Sequence, residues 1–250
     1  MLATVLSHSA NAQLVKTKDW SGAIRNYDIS KLWTQDSIFI ESQNYKMPEP
    51  LGFIGGDYQR FYIHYLSVIK SKEAPNVYLV KGKTRVKNNI TPFSGTITIK
   101  EAFLYKDKNG IDSPGLLRGI TKSECRFYED STLPSSGYIV GELKTFWYMD
   151  QQQILYDAIE MTSDGYANNQ FTGKWTGYKT HVTKKCNWGD YRIPGSGDLD
   201  SGAGEFVPND KYLSKGWKNY FDAYVHGDSL QQARPRAIEG SKWWNQSKAN

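Results

Sequence analysis

From about Ile38 to Thr180, apolar and polar residues alternate with period two between clusters of turn residues, and helical periodicity is almost absent. The pattern predicts strands over Gln59–Lys70, Val77–Val86, Phe93–Tyr105, Leu117–Tyr128, Gly137–Met149, Ile154–Met161 and Asn169–Thr180, preceded by a short apolar run at Asp36–Ser42. Tyr45–Gly56, with Pro48, Pro50 and three glycines, reads as a loop, and Lys106–Gly110 as a turn. Strands that follow one another through short connections pair antiparallel, and a meander of about eight hides its edges by closing on itself. The expected fold is all-β: an antiparallel meander of about eight strands closing into a calycin-like barrel, with a β-sandwich as the alternative.

After Thr183 the alternation stops. Lys184–Gly204 is rich in Gly, Ser and Asp and reads as loop, whereas Asn209–Val225 carries Leu213, Trp217, Phe221 and their neighbours at helical spacing. Asn209 suits the N-cap of that helix, and Gly216 within it costs about 1 kcal/mol relative to Ala. From 226 to 250 the chain is polar, with Pro235 and the pair Trp243-Trp244, and a loosely ordered tail is expected. At the other end, the apolar run Met1–Leu6 and the small-residue pattern Ala10-x-Ala12 fit a truncated signal segment over 1–12, with cleavage before Gln13. The organisation expected is that segment, one domain over 13–225 with a covering loop and helix, and the tail, in a protein exported to the periplasm or beyond.

The stretches Asn168-Asn-Gln-Phe-Thr-Gly-Lys-Trp-Thr-Gly-Tyr-Lys179 and Cys186-Asn-Trp-Gly-Asp-Tyr-Arg-Ile-Pro194 resemble those of an uncharacterised family of exported bacterial proteins, over residues 52–225. The resemblance implies export and no particular activity. The likeness to lipocalins is one of architecture: lipocalins carry Gly-x-Trp on the first strand, whereas here Gly173-Lys-Trp175 falls on the last predicted one.

On most of the predicted strands one face is poor in charge and faces inward: Tyr78, Val80, Gly82 and Thr84 on one, Gly119, Thr121, Ser123, Cys125 and Phe127 on another, Ile139 to Trp147 on the next, and Phe171, Gly173 and Trp175 on the last. Many of these residues are small, and an eight-strand barrel either fills itself or holds one small ligand. Phe127, Trp147, Phe171 and Trp175 are the candidate contacts for an apolar or amphipathic guest, with Cys125 and Asp157 as polar fixtures. The alternatives are glycan binding on a surface row of Tyr58, Tyr62, Trp188 and Tyr191, and an acid–base site in the interior using Asp157 and His64. Cys125 and Cys186 are either a disulfide or two buried thiols.

Composition narrows this list. With 14% aromatic residues and a formal charge of +5, the chain is neither a disordered segment nor basic enough to predict a nucleic-acid partner. No apolar stretch reaches the length of a membrane-spanning helix. Hydrolase, zinc-protease and phosphate-loop signatures are missing, and no cofactor is expected. Asp198, Asp200 and Glu205 crowd a glycine-rich loop without the spacing of a calcium-binding loop, so no metal is expected there.

Overall fold

The computed structural model describes residues 15–40, 43–106 and 116–246. The expected signal segment 1–12 and most of the turn expected at 106–110 lie outside them. The described chain forms β1 (Val15–Asp19), α1 (Lys31–Thr34), β2 (Ser37–Ile40), β3 (Gln43–Lys46), β4 (Leu51–Ile54), β5 (Gln59–Lys70), β6 (Val77–Val86) and β7 (Asn89–Lys106). It continues with β8 (Leu117–Glu129), β9 (Gly137–Asp150), β10 (Gln153–Tyr156), β11 (Asn168–Gly177), β12 (Thr183–Asp190), α2 (Lys218–Tyr224) and α3 (Ser229–Glu239).

Eight strands close into an antiparallel, barrel-like sheet in the order β4-β5-β6-β7-β8-β9-β11-β12 and back to β4. The meander and its closure are as the alternation predicts, but the membership differs. Of the Asp36–Ser42 run, Ser37–Ile40 forms β2 of a separate two-stranded hairpin with β3, and its last two residues lie outside the described ones. The Ile154–Met161 strand shortens to β10, which pairs with the last four residues of β9 beyond the reach of β11. Their places are taken by β4 and β12, both from segments that read as loop.

These two strands pair Ile54 with Cys186 and Gly52 with Trp188. Neither can show alternation, because both of its faces are covered: all four residues of β4 and the last five of β12 are buried. Ile54, Cys186 and Trp188 join the interior, while Leu51 and Phe53 pack outward against Ile193, Leu199, Phe206 and Trp217.

Inside, aromatic rings do most of the filling. Phe171 stacks on Trp188 with centroids 3.6 Å apart, and Phe127 meets Phe93 at 5.0 Å. The small inward residues provide room for these rings rather than for a guest. A Cβ at Gly119 would sit 2.1 Å from the Trp147 indole, and one at Gly141 or Gly173 would sit 2.5 Å from Phe171. Cys125 and Cys186 are both buried free thiols at this level.

One end of the closed sheet is plugged by the segment between β1 and β2. Trp20 lies 5.0 Å from Trp147, Trp33 meets Tyr78 edge-on, and Ile24, Ile29 and Leu32 are buried beneath. The Tyr78 hydroxyl both accepts from the Ile29 N–H and donates to the Tyr27 carbonyl.

The C-terminal segment covers the outer face of β4 and β5. The helix expected over Asn209–Val225 is divided: a 3-10 turn over Asp210–Lys215, capped by Asn209 as expected, stops at Gly216, whose φ is +95°. Only α2 beyond it is α-helical. The expected loose tail contains α3, which starts with a capping box between Asp228 and Gln231 and carries Pro235 inside. No apolar residue of α3 is buried. It is held instead by polar ties, among them the buried pair Arg60–Glu239 at 3.0 Å and the Asn219 amide on the Glu239 carboxylate. Trp243 is buried beyond it, near Arg85, and Trp244 stacks on His64 with centroids 3.6 Å apart.

The ring-against-glycine packing is open to test. Gly119→Ala should lower unfolding stability by about 1–3 kcal/mol through overpacking, while Gly22→Ala, with nothing within 4 Å of its Cβ position, should be near neutral. Urea unfolding of both variants reads the difference, and equal midpoints would contradict the packing.

Candidate functional site

At the end opposite the plug the strand ends leave a cavity of about 420 Å³. Its apolar wall is Ile54, Phe61, Val86 and Trp175, and its polar wall includes Thr84, Thr91 and Glu129. It opens to solvent between Lys87, in the β6–β7 turn, and Lys184, on β12, with Asp57 on the same rim. Asp57 is engaged by Lys215 at 2.8 Å, so the rim as a whole carries excess positive charge.

Pairing explains why these groups meet. Thr84 sits opposite Thr91 across β6 and β7, and Phe93 sits opposite Glu129 across β7 and β8. Glu129 is 7% exposed, and both of its oxygens are used. Oε1 accepts from the Thr84 hydroxyl at 2.5 Å, while Oε2 accepts from the Gly137 N–H at 2.8 Å and the Trp175 indole N–H at 3.0 Å. Burial pushes this carboxyl above the ordinary range, against three hydrogen bonds that favour the charged form. Glu129 thereby fixes the half-buried Trp175 indole at the cavity wall.

Of the candidate contacts named from sequence, Trp175 lines this cavity. Cys125, Phe127, Trp147 and Phe171 are fully buried in the packed interior. Asp157 lies just past β10, where it accepts from the Tyr105 hydroxyl at 2.7 Å and Arg118 Nε at 2.9 Å. His64 keeps separate company, with Nδ1 3.0 Å from Glu49 and its ring on Trp244. The four aromatics of the expected glycan row are dispersed: Trp188 is interior, Tyr58 packs between Phe53 and Tyr212, Tyr62 lies against Arg85, and Tyr191 meets Tyr166. In the acidic loop, Asp198 pairs with Lys211 and Asp200 with Arg192 at 2.6 Å. Among the described residues no three His, Cys, Asp or Glu side chains are grouped to hold a metal ion.

Glu129 had a signal in the sequence. The inward face Gly119, Thr121, Ser123, Cys125, Phe127 continues in phase to position 129, placing an acid on the interior side one step past the predicted strand end.

A second polar centre lies at the plugged end. Asp190, 4% exposed, accepts through Oδ2 from the Tyr156 hydroxyl at 2.9 Å and from Asn169 Nδ2 at 2.7 Å. Asn169 in turn donates to the Leu32 carbonyl and accepts from the Thr145 hydroxyl, which accepts from the Trp33 indole N–H. The acid is therefore tied to the plug. Asn169 and Tyr191 both have φ in the left-handed region, at +46° and +64°. Burial raises the Asp190 carboxyl from 3.8 to about 7.

Because that value is raised on folding, the native state holds the extra proton between about pH 4 and pH 7, and its stability contribution fades as pH rises through that window. The stability difference between the native protein and Asp190→Asn should change across the window with a slope of up to about 1.4 kcal/mol per pH unit and be flat above it. Urea unfolding at stepped pH measures this, and parallel profiles would refute it.

Compared with known families, curated proteins and solved structures, the chain matches none.

Proposed function

We propose that this is a non-enzymatic binding protein, exported from the cell, that takes a small amphipathic molecule into the open end of its closed sheet. The observation that carries the reading is the cavity of about 420 Å³ beyond the packed interior, within the size range usual for small-molecule sites. Its wall is divided as an amphipathic ligand requires. The apolar body lies against Ile54, Phe61, Val86 and Trp175, and an acidic headgroup stays at the rim near Lys87 and Lys184. Glu129 acts through the wall by holding the Trp175 indole, since its own oxygens are engaged.

Decanoate is a suitable probe, read by calorimetry on the full chain with decanol and decylammonium alongside. Saturable decanoate binding is expected, stronger than that of decylammonium. Val86→Trp, which puts bulk into the cavity, should weaken it at least about tenfold, equivalent to about 1.4 kcal/mol. Reversing both rim charges, Lys87→Glu with Lys184→Glu, should weaken decanoate about 3–10-fold, in a manner suppressed by salt. Absence of saturable binding by all three probes, or decanoate binding indifferent to Val86→Trp, would sink the reading.

A further inference from the structure

We propose that the plugged end holds a second, independent site, a chamber that binds a small organic ammonium ion between the carboxylates of Asp190 and Glu49. The chamber has a volume of about 60 Å³, room for roughly four water-sized groups. It is walled by α1 and the residue after it, by the 47–50 loop, by the middle of β5, and by Asn169 and Asp190. Asp36 and Pro48, both exposed, mark where it meets solvent.

The charge of the wall has one sign. Asp36, Glu49 and Asp190 line it, and among its described residues there is no Lys or Arg. His64 also lines it and is the one group there that can become positive, 3.0 Å from Glu49 and clamped from behind by Trp244.

Asp190 is prepared as an acceptor. Its two hydrogen bonds both fall on Oδ2, and among the described residues no donor reaches Oδ1. An ammonium ion only donates, which suits a buried acid with an unspent acceptor oxygen.

The remaining wall selects the kind of cation. A metal ion wants a close shell of oxygen ligands, and no three acidic or imidazole groups converge here. The other lining includes Trp33, Tyr65, Met47, Pro48, Pro50 and Ile63, which are aromatic and aliphatic. An ammonium ion carrying one or two carbons places its N–H groups on the carboxylates and its methyl groups against the rings, where cation–π attraction adds to the contact.

The test titrates the full chain at pH 8.5, where Asp190 is a carboxylate, with methylammonium and ethylammonium chloride at constant ionic strength, following the indole N–H resonance of Trp33 by NMR. Ethanol, potassium chloride and calcium chloride are the comparison solutes. Saturable movement of the Trp33 signal by the two ammonium ions alone is expected, with Glu49→Gln weakening binding at least fivefold and Asp190→Asn abolishing it. Glu49 is half-buried, so the Glu49→Gln result decides the matter if Asp190→Asn does not fold. Equal response to ethanol, potassium or calcium, or unchanged affinity in Glu49→Gln, would overturn the proposal. Because the two cavities lie at opposite ends of the sheet, decanoate binding at the open end succeeds or fails separately.

Discussion

Everything in this structure depends on the pairing of β4 with β12. The other seven contacts of the closed sheet join strands that follow one another in the meander, whereas this one brings together segments about 130 residues apart. It closes the edges that β4 and β12 would otherwise leave open. It also imposes a requirement on the outside. With Gly52 and Ile54 turned inward, Leu51 and Phe53 must face outward, and an apolar pair there needs cover. The segment after β12 supplies it through Ile193, Leu199, Phe206 and Trp217. The same cover buries Arg60, whose charge then requires Glu239 from α3, with the Trp217 ring 4.3 Å from its guanidinium. A buried charge that loses its partner costs about 3–5 kcal/mol, so the polar helix at the far end of the chain is tied to β5, beside the closing pair, by electrostatics rather than by an apolar face.

Closing a sheet creates an interior that must be filled, plugged or left open. In the middle the large rings of Phe127, Trp147, Phe171 and Trp188 meet glycines and small residues across the sheet, and the space is consumed. At one end Trp20 and Trp33 extend that packing beyond the strands. At the other end the inward positions become Thr84, Thr91 and Glu129; Glu129 is bound to Thr84 and Trp175 along the wall, and a cavity remains beside them. The cavity is where the supply of rings ends.

How far the sequence disclosed this follows from burial. β5 and β6 have the same bounds in the alternation as in the structure, because one face of each packs inward while the other keeps a share of polar residues. β4 and β12 were hidden for the opposite reason: strands covered on both faces lose the period-two signal, and prolines and glycines at their ends resemble loop. The plug was illegible because Trp20, Ile24, Ile29 and Leu32 are spaced to fit an opening, with neither helical nor strand periodicity. α3 was illegible because its contacts are ion pairs and hydrogen bonds formed by residues that look like ordinary surface. Among site residues, Trp175 was reachable as an inward ring on a late strand, whereas its partner Glu129 fell one step past the boundary drawn for β8.

The two buried acids show how the same burial yields different chemistry at the two ends. Both Glu129 and Asp190 are withdrawn from water, and both carboxyls rise above their ordinary values for that reason. What separates them is how their acceptor capacity is spent. Glu129 commits Oε1 to Thr84 and Oε2 to Gly137 and Trp175, tying β6, β8, β9 and β11 together at the mouth. An acid so fully engaged is part of the wall, and a guest reaches it only through the indole that it holds. Asp190 takes both of its bonds on one oxygen, from Tyr156 and Asn169, and keeps the other toward a chamber that also contains Glu49. Its partners orient the group without exhausting it. On the two proposals, the acid at the open end therefore shapes a cavity for a larger guest, and the acid at the plugged end would itself be the point of attachment for a small one.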